Sequence, residues 1–294
     1  MPQIKANNIN IEYDTFGAEA DRPLLLVMGL GAQMTRWREE FCVMLADAGH
    51  YVIRFDNRDI GLSQHFDQFG VPNMMKIFAD AQAGNPVKAP YTLEDMAEDA
   101  EGLLNALHID KAHICGASMG GMIAQMMAIH HRERVLSLTS IMSTTGDPNL
   151  PSSTEEASAA LLSPAGQTLD EVVDRSVSVA KAIGGKGFPL DAEAIKMRAK
   201  ADYERSFHPD GVARQMAAIA ATGNRRPHLE KLEGIPTLVI HGSDDPLVPL
   251  AGGEDTHKAI KGSKLKVIEG MGHDLPEEAW PEIVEAISAH TSAA

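Results

Sequence analysis

The stretch HICGASMGG, residues 113–121, carries the strongest structural signal in this sequence. It places Ser118 between two glycines, after an apolar run and before a helical pattern. A sharp strand-to-helix turn lifts such a hydroxyl above a sheet, and Gly116 and Gly120 leave room for it. The following helix begins near Met119 and presents free N–H groups to a developing negative charge. Ser118 is therefore either a nucleophile or a small residue in a structural turn, and the rest of the chain must decide.

Apolar runs alternate with amphipathic segments on both sides of this stretch. The opening IKANNINIEYDTFG predicts two short strands joined by an asparagine-rich turn. Thr92, with Asp95 three residues on, predicts the start of a helix. This order predicts a mostly parallel central sheet with helices on both faces. Further strands are predicted at RPLLLVMG, HYVIRFD, AHICGAS, VLSLTSIM, IPTLVIHG and LKVIEG.

The alternation stops after Met142 and resumes near residue 230. Between them lie three helical patterns, TLDEVVDRSVSVAKAI, LDAEAIKMRAKADYERSF and DGVARQMAAIAATG, and no strong buried strand. We therefore expect a core domain formed by residues 1–142 and 230–294. A helical cap, residues 143–229, is expected after the sixth strand.

Composition narrows the class of protein. The 294 residues carry 26 basic and 41 acidic side chains, a net charge of −15, which argues against nucleic-acid and anionic-membrane partners. No apolar run approaches the ~20 residues of a membrane span, and the first residues do not resemble a signal peptide. Cys42 and Cys115 form no disulfide framework, and His130–His131 lack a third metal ligand at a sensible spacing. We expect a cytoplasmic enzyme without a metal.

A serine nucleophile needs a base, and twelve histidines are available. His273 is the one that lies in a glycine-lined loop, EGMGHDL, after a late strand. Parallel strands bring that loop to the same edge as Ser118. HGSDDPLVP supplies the carboxylate that orients the base; Asp245 is preferred and Asp244 is the fallback. The chain order is then Ser118, Asp245, His273.

The motifs VMGLGAQ, DNRDIGLS, GASMGG, HGSDDPLVP and GMGH, taken in order, resemble the α/β-hydrolase fold superfamily along nearly the whole chain. LLLVMGLGAQMTRW, RFDNRDIGLS and IEGMGHDLP are most similar to its carboxylesterase and aclacinomycin methylesterase-like branch. The resemblance implies an α/β-hydrolase fold. It also implies that Ser118 is the nucleophile, His273 the general base and then acid, and Asp245 its orienting partner.

The resemblance further implies an oxyanion hole formed by the N–H groups of Met119 and Leu30. Met28 stands where the family usually has histidine, so a polar residue that often braces this loop is missing. The DNRDIGLS loop, residues 56–63, is interpreted as a structural turn network. Candidate residues of the substrate pocket are Gly29, Trp37, Phe188, Phe207 and Met216.

These residues together predict a serine hydrolase that cleaves carboxylic esters through an acyl-enzyme, without a metal or organic cofactor. Small or medium esters, lactones and methyl esters of bulky acids all remain open as substrates. A cofactor-free haloperoxidase or perhydrolase on the same triad is one alternative, and a non-catalytic ligand-binding protein is another. A homodimer also remains open, because the C-terminal helix could cover the core or contact a partner.

Overall fold

The computed structural model describes residues 2–294, which form one eight-stranded sheet with helices on both faces. The strands are β1 (Gln3–Ala6), β2 (Ile9–Phe16), β3 (Arg22–Val27), β4 (His50–Phe55), β5 (Ala112–Ala117), β6 (Val135–Ile141), β7 (Thr237–Gly242) and β8 (Lys264–Ile268). Their order across the sheet is β1-β2-β4-β3-β5-β6-β7-β8. β2 runs antiparallel to both neighbours, and β4 to β8 pair in parallel through β3.

Eleven α-helices connect these strands within residues 2–294. They are α1 (Glu39–Asp47), α2 (Met74–Gln82), α3 (Leu93–Ala106), α4 (Met119–His130), α5 (Glu155–Leu161), α6 (Leu169–Ile183), α7 (Ala192–Arg205), α8 (Pro209–Thr222), α9 (Arg226–Leu229), α10 (Leu250–Ala259) and α11 (Trp280–Ser292). Short 3₁₀ turns lie at Met34–Arg36, Asp67–Phe69, Arg132–Arg134 and Glu277–Ala279. No helix in this described part combines the length and apolarity needed to cross a lipid bilayer.

The predicted turn between the first two strands and the predicted start of the helix at Thr92 are confirmed. Asn7 and Asn8 both have positive φ, 45° and 63°, which lets the β1–β2 hairpin turn tightly. Thr92 and Asp95 form a reciprocal capping box at the start of α3. Gly49, with φ of 86°, ends the α1 region. One boundary differs. The spacing of Trp37, Phe41, Met44 and Leu45 predicts a helix over residues 36–48, but α1 begins at Glu39, because residues 34–36 form a 3₁₀ turn and Trp37 is extended.

Two hydrophobic clusters fill the space between the sheet and its helices. One face packs against α3 and α4 through residues such as Leu103 and Ile123. The other packs against α1 and α11 through Phe41 and Ile283. Both faces of the central strands are thus buried, as their continuous apolar sequences predict. Burial also raises the pKa of both thiols, that of Cys42 to about 12.

The segment between β6 and β7 holds α5–α9 and, among its described residues, no strand. This confirms a helical insertion after the sixth strand. Three of its helices match the predicted patterns, whereas α5 and α9 are additional short helices, and α2 in the core was also missed. The division into a core of 1–142 and 230–294 and a cap of 143–229 stays a prediction.

Candidate active site

Ser118 lies at the turn between β5 and α4, at the carboxyl end of the sheet. Its backbone is strained, with φ of 55° and ψ of −120°. Neighbouring glycines make the turn possible: a Cβ on Gly116 would lie 2.0 Å from the Gly120 carbonyl oxygen, and one on Gly120 would lie 2.0 Å from the Val27 oxygen. Only glycine therefore fits at these two positions, and the turn brings β5 and α4 into close contact.

The structure brings Ser118, His273 and Asp245 into one hydrogen-bonded chain. His273 Nε2 lies 2.9 Å from Ser118 Oγ, and His273 Nδ1 lies 2.8 Å from Asp245 Oδ2. A carboxylate can only accept, so Nδ1 carries the imidazole proton and Nε2 accepts from the serine hydroxyl. Serine attack on a carbonyl requires this arrangement of hydroxyl, base and carboxylate.

Asp245 is fixed by several donors besides His273. Its Oδ1 accepts the N–H groups of Leu247 and Val248 at 2.9 and 2.8 Å. Burial alone would raise the pKa of this carboxyl. Hydrogen bonds from His241 and His273 outweigh it and lower the pKa of Asp245 to about 2. The side chain therefore stays ionised throughout the range in which enzymes are assayed. Asp244, the fallback residue, is exposed and accepts from Ser243 Oγ.

The two expected oxyanion donors lie beside the serine. A Cβ on Gly29 would lie 3.2 Å from Ser118 Cβ, so the loop that carries Leu30 contacts the serine directly. Met119 is the first residue of α4. Within residues 2–294, neither the Leu30 N–H nor the Met119 N–H donates to another protein group, whereas the next loop N–H, of Gly31, donates to Gln215 Oε1. The N–H groups of Leu30 and Met119 thus remain free, one in the loop that contacts Ser118 and one in the residue after it.

Side chains from two other segments brace this loop in place of the missing histidine. Asn57 Nδ2 donates to the Met28 carbonyl oxygen at 2.8 Å, and Asp56 Oδ1 accepts the Met34 N–H at 2.7 Å. Gln215, fully buried on α8, accepts from Gly31 at 2.9 Å and donates to the Arg58 carbonyl oxygen. Sequence reasoning missed these residues as supports, because nothing in their local patterns indicates a partner more than twenty positions away.

The DNRDIGLS loop is a turn network, as predicted. Asp56 Oδ2 accepts the Leu62 N–H at 2.9 Å, and Ser63 Oγ donates to the Asp56 carbonyl oxygen at 2.6 Å. A Cβ on Gly61 would overlap the Asp56 carboxylate. Through Asp56 and Asn57, this network also holds the loop beside Ser118.

The base loop is held in a different way, by backbone contacts with the end of α6. The His273 N–H donates to the Ile183 carbonyl oxygen at 2.7 Å, and the Gly187 N–H donates to the Gly270 oxygen at 2.9 Å. A Cβ on Gly185 would lie 2.1 Å from that same Gly270 oxygen and 2.3 Å from the Gly272 nitrogen. The helical segment between β6 and β7 is thus packed, backbone against backbone, on the loop that carries His273.

The five proposed pocket residues lie in different surroundings. Gly29 contacts Ser118, and half-buried Phe188 follows Gly187 and packs on the cluster that contains Met271. Trp37 is fully buried and stacks on Phe41 in the core, and its place in the pocket stays a prediction. Phe207 is 39% exposed, and its ring lies against Tyr203. Met216 is half-buried on α8.

One group of potential metal ligands lies elsewhere, formed by His65, Asp67 and His208. The two imidazole rings stack in parallel, 3.8 Å apart. Arg214 Nη2 lies 2.9 Å from His208 Nε2 and 3.0 Å from Asp67 Oδ1. A guanidinium group therefore already contacts two of the three residues that would hold a metal ion, His208 and Asp67.

Comparisons with known proteins identify the family and the fold. The family model of the α/β hydrolase fold matches residues 22–279. Rhodomycin D methylesterase of Streptomyces sp. (strain C5) is 29% identical over 99% of this chain and 98% of its own length. 3-Oxoadipate enol-lactonase 2 of Acinetobacter baylyi is 28% identical over 97% of this chain and 95% of its own.

Solved structures extend the likeness to three dimensions. The enol-lactonase from Burkholderia xenovorans LB400 superposes with a TM-score of 0.75 at 20% identity, covering 99% of this chain and all of that one. A meta-cleavage product hydrolase from Pseudomonas fluorescens IP01 also reaches 0.75 at 20% identity, covering all of this chain and 98% of the other. At such low identity the likeness is one of fold.

Proposed function

This chain belongs to the α/β-hydrolase family, and on that premise we propose that Ser118, His273 and Asp245 form the catalytic triad of a serine ester hydrolase. The reaction class is carboxylic ester hydrolysis, as the names of the methylesterase and enol-lactonase relatives indicate. The observation that carries the proposal is the continuous hydrogen-bonded chain from Ser118 Oγ through both nitrogens of His273 to Asp245.

The first half of the reaction forms an acyl-enzyme. Ser118 Oγ attacks the ester carbonyl carbon while His273 Nε2 takes the hydroxyl proton. The ionised Asp245 carboxylate holds the Nδ1 proton and stabilises the imidazolium. His273 then gives the proton to the alkoxide oxygen, and the alcohol leaves.

The developing oxyanion is stabilised by the free N–H groups of Leu30 and Met119. Met119 adds the positive end of the α4 helix dipole, since its N–H is the first of that helix. One such donor contributes about 10²–10³-fold to the rate in enzymes of this kind. Gln215 and Asn57 support this function indirectly, by fixing the loop in which Leu30 lies.

The second half repeats the same proton movements with water. His273 removes a proton from a water molecule, whose oxygen attacks the acyl carbon, and the proton passes to Ser118 Oγ as the acid leaves. We propose small or medium esters, methyl esters or lactones as the substrates. The named relatives, a methylesterase and an enol-lactonase, support this range.

The direct test is hydrolysis of p-nitrophenyl esters from C2 to C12, together with a methyl ester of a bulky aromatic acid. Ser118→Ala should lower kcat by about 10³-fold or more, because the nucleophile is removed. Ser137→Ala is the matched control: it also removes a serine hydroxyl bonded to a buried histidine, at the other end of the sheet. Activity retained in Ser118→Ala would overturn the assignment.

A further inference from the structure

The proposed mechanism leaves one buried histidine at the carboxyl end of the sheet unused. His241 lies on β7, four residues before Asp245, and its side chain is fully buried. Its Nε2 lies 2.7 Å from the Val248 carbonyl oxygen and 3.5 Å from Asp245 Oδ2. Both oxygens can only accept, so Nε2 carries the ring proton and directs it towards them. The Asp245 carboxylate thus lies between two imidazole rings, those of His241 and His273.

A chain of hydrogen bonds connects His241 to His273. His241 Nε2 donates to the Val248 carbonyl oxygen, and the Val248 N–H donates to Asp245 Oδ1 at 2.8 Å. The other carboxylate oxygen, Oδ2, accepts from His273 Nδ1 at 2.8 Å. His241 therefore fixes the turn that holds one oxygen of the carboxylate, and it lies beside the other oxygen.

The opposite nitrogen of the same ring has no partner. Nδ1 of His241 is buried, and within residues 2–294 no group donates to it. Helix α10 packs directly on this edge of the ring, since a Cβ on Gly253 would lie 2.4 Å from Nδ1. An unpaired buried acceptor costs free energy. An apolar side chain would avoid that cost, but it could not donate to Val248 or to Asp245.

Other charged and titratable groups around this contact are engaged elsewhere. Asp274 follows His273, and its Oδ1 accepts the Gly272 N–H at 3.1 Å. Burial raises the pKa of Asp274, and repulsion from Asp245 adds to this effect. Side chains on β8 and α10 face the other side of the sheet or have their own partners: Lys264 and Lys266 lie in register with Leu238 and Ile240, Asp255 pairs with Arg226, Lys258 with Glu254, and His257 with Ser263. Among the described residues, His241 and His273 are the side chains whose donors lie within 3.5 Å of the Asp245 carboxylate.

We propose that His241 is a positioning residue that sets both the orientation and the charge of the Asp245 carboxylate. This proposal rests on the catalytic triad proposed above, and His241 acts on the substrate only through Asp245 and His273. By donating beside Oδ2, His241 draws negative charge away from the oxygen that holds His273 Nδ1. The imidazolium is then held less strongly, so His273 gives its proton more readily to the leaving alcohol. By anchoring Val248, His241 also keeps Oδ2 turned towards His273.

The proposal is tested with two variants of this histidine. His241→Met fills the space without a donor, whereas His241→Gln carries an amide nitrogen that can take the place of Nε2. We expect kcat of His241→Met for ester hydrolysis to fall about tenfold, the contribution of one hydrogen bond to a charged group. The acid limb of its pH–rate profile should move to higher pH, because Oδ2 then holds the imidazolium more strongly. His241→Gln should restore most of kcat and return the acid limb towards its wild-type position.

Proton NMR of the resting protein adds a measurement that does not depend on hydrolysis. The His273 Nδ1 proton, bonded to a carboxylate, should resonate far downfield of the amide protons, and its loss in His273→Gln assigns it. In His241→Met this resonance should move further downfield, since the bond to Oδ2 strengthens. Wild-type protein with ¹⁵N-labelled histidine needs no variant: His241 should be present as the Nε2–H tautomer.

His113→Met is the matched control, because it removes another buried histidine from the same sheet, at the end away from Asp245. It should leave kcat, the acid limb and the His273 resonance unchanged. Wild-type kcat and pH profile in His241→Met would overturn the proposal. So would a lower kcat with the acid limb and the resonance both unchanged, which is what lost packing alone produces.

The Nδ1–H tautomer of His241 in the wild-type protein would overturn the proposal as well. Failure of the wild-type protein to hydrolyse any ester would count against the proposed function instead. The resonance and the tautomer would still decide on the role of His241, so the two failures are distinguishable.

Discussion

At the carboxyl end of the sheet, His273 Nε2 lies 2.9 Å from Ser118 Oγ; at the amino end, His113 Nδ1 lies 2.8 Å from Ser137 Oγ. His50 at that amino end makes a similar contact, 2.8 Å from Thr291 Oγ1. Buried histidine–hydroxyl pairs therefore occur at both ends of one sheet. The pair alone does not identify a catalytic site.

Three surrounding features separate the two ends. Asp245 holds the second nitrogen of His273, whereas the groups that act on His113 are His50, Arg22 and His290, none of them an acid. Ser118 sits in a strained turn at a helix start, while Ser137 lies inside β6. Free backbone N–H groups lie beside Ser118. A carboxylate, a strained turn and free donors thus mark the end at which chemistry is proposed.

Removing the carboxylate should produce the largest change. Asp245→Asn leaves an amide that can donate to Nδ1, so the imidazole takes the wrong tautomer and cannot accept the serine proton. We expect kcat to fall by about 10³-fold or more, or roughly 4 kcal/mol. Ester hydrolysis measures the loss, with the exposed neighbour Asp244→Asn as control. Equal activity in Asp245→Asn and Asp244→Asn would mean that the Asp245 carboxylate does not distinguish the His273–Ser118 pair from the His113–Ser137 pair.

Acid should lower the free energy of unfolding through His113, at the amino end of the sheet, and this effect is smaller than the loss of activity in Asp245→Asn. Burial, followed by neighbouring His50 and Arg22, lowers the pKa of His113 from 6.5 to about 4. The unfolded chain then binds more protons between these values, so stability is lost as pH falls from 6.5 towards 4. By pH 5 this one group accounts for about 2 kcal/mol. Urea unfolding at pH 7.5 and pH 5 measures it, and His113→Gln should reduce the difference; an unchanged difference would contradict this origin.

Loss of the Gln215 amide should produce the smallest change. Gln215→Met removes the acceptor of the Gly31 N–H and loosens the loop that carries Leu30. We expect kcat to fall about tenfold with KM nearly unchanged, since the weakened contact forms only in the transition state. Gln64→Met is the control, because Gln64 also accepts a backbone N–H, from Asn10, but in another loop. A change in KM alone would assign Gln215 to substrate binding instead.

The sheet and the serine–histidine–aspartate cluster could be predicted because each depends on local sequence. The inner strands are largely apolar runs, and each of the three residues lies in the loop after a strand: Ser118 after β5, Asp245 after β7 and His273 after β8. Helix α2 was missed because Ile77 is its only buried side chain, while Met75 is 84% exposed. Its sequence does place Met74, Ile77 and Phe78 at helical spacing, but the helix is only nine residues long, so the pattern is too short to stand out.

Contacts between distant segments could not be predicted. Gln215 meets Gly31 across 184 positions, and nothing near either residue indicates the other. The surroundings of Trp37 could not be predicted for a related reason: its closeness in sequence to the Leu30 loop does not reveal that its ring packs in the core against Phe41. Side-chain direction in irregular segments is set by tertiary packing, which a local pattern does not encode.

The close backbone packing of Gly185 on Gly270 and Gly272 also limits how this protein can be re-engineered. Exchanging the segment between β6 and β7 for that of a relative is an attractive way to change substrate range. Here a donor segment with any side chain at position 185 would push directly on the base loop. A chimera should therefore keep residues 183–187 of this protein, even where the rest of the segment is exchanged.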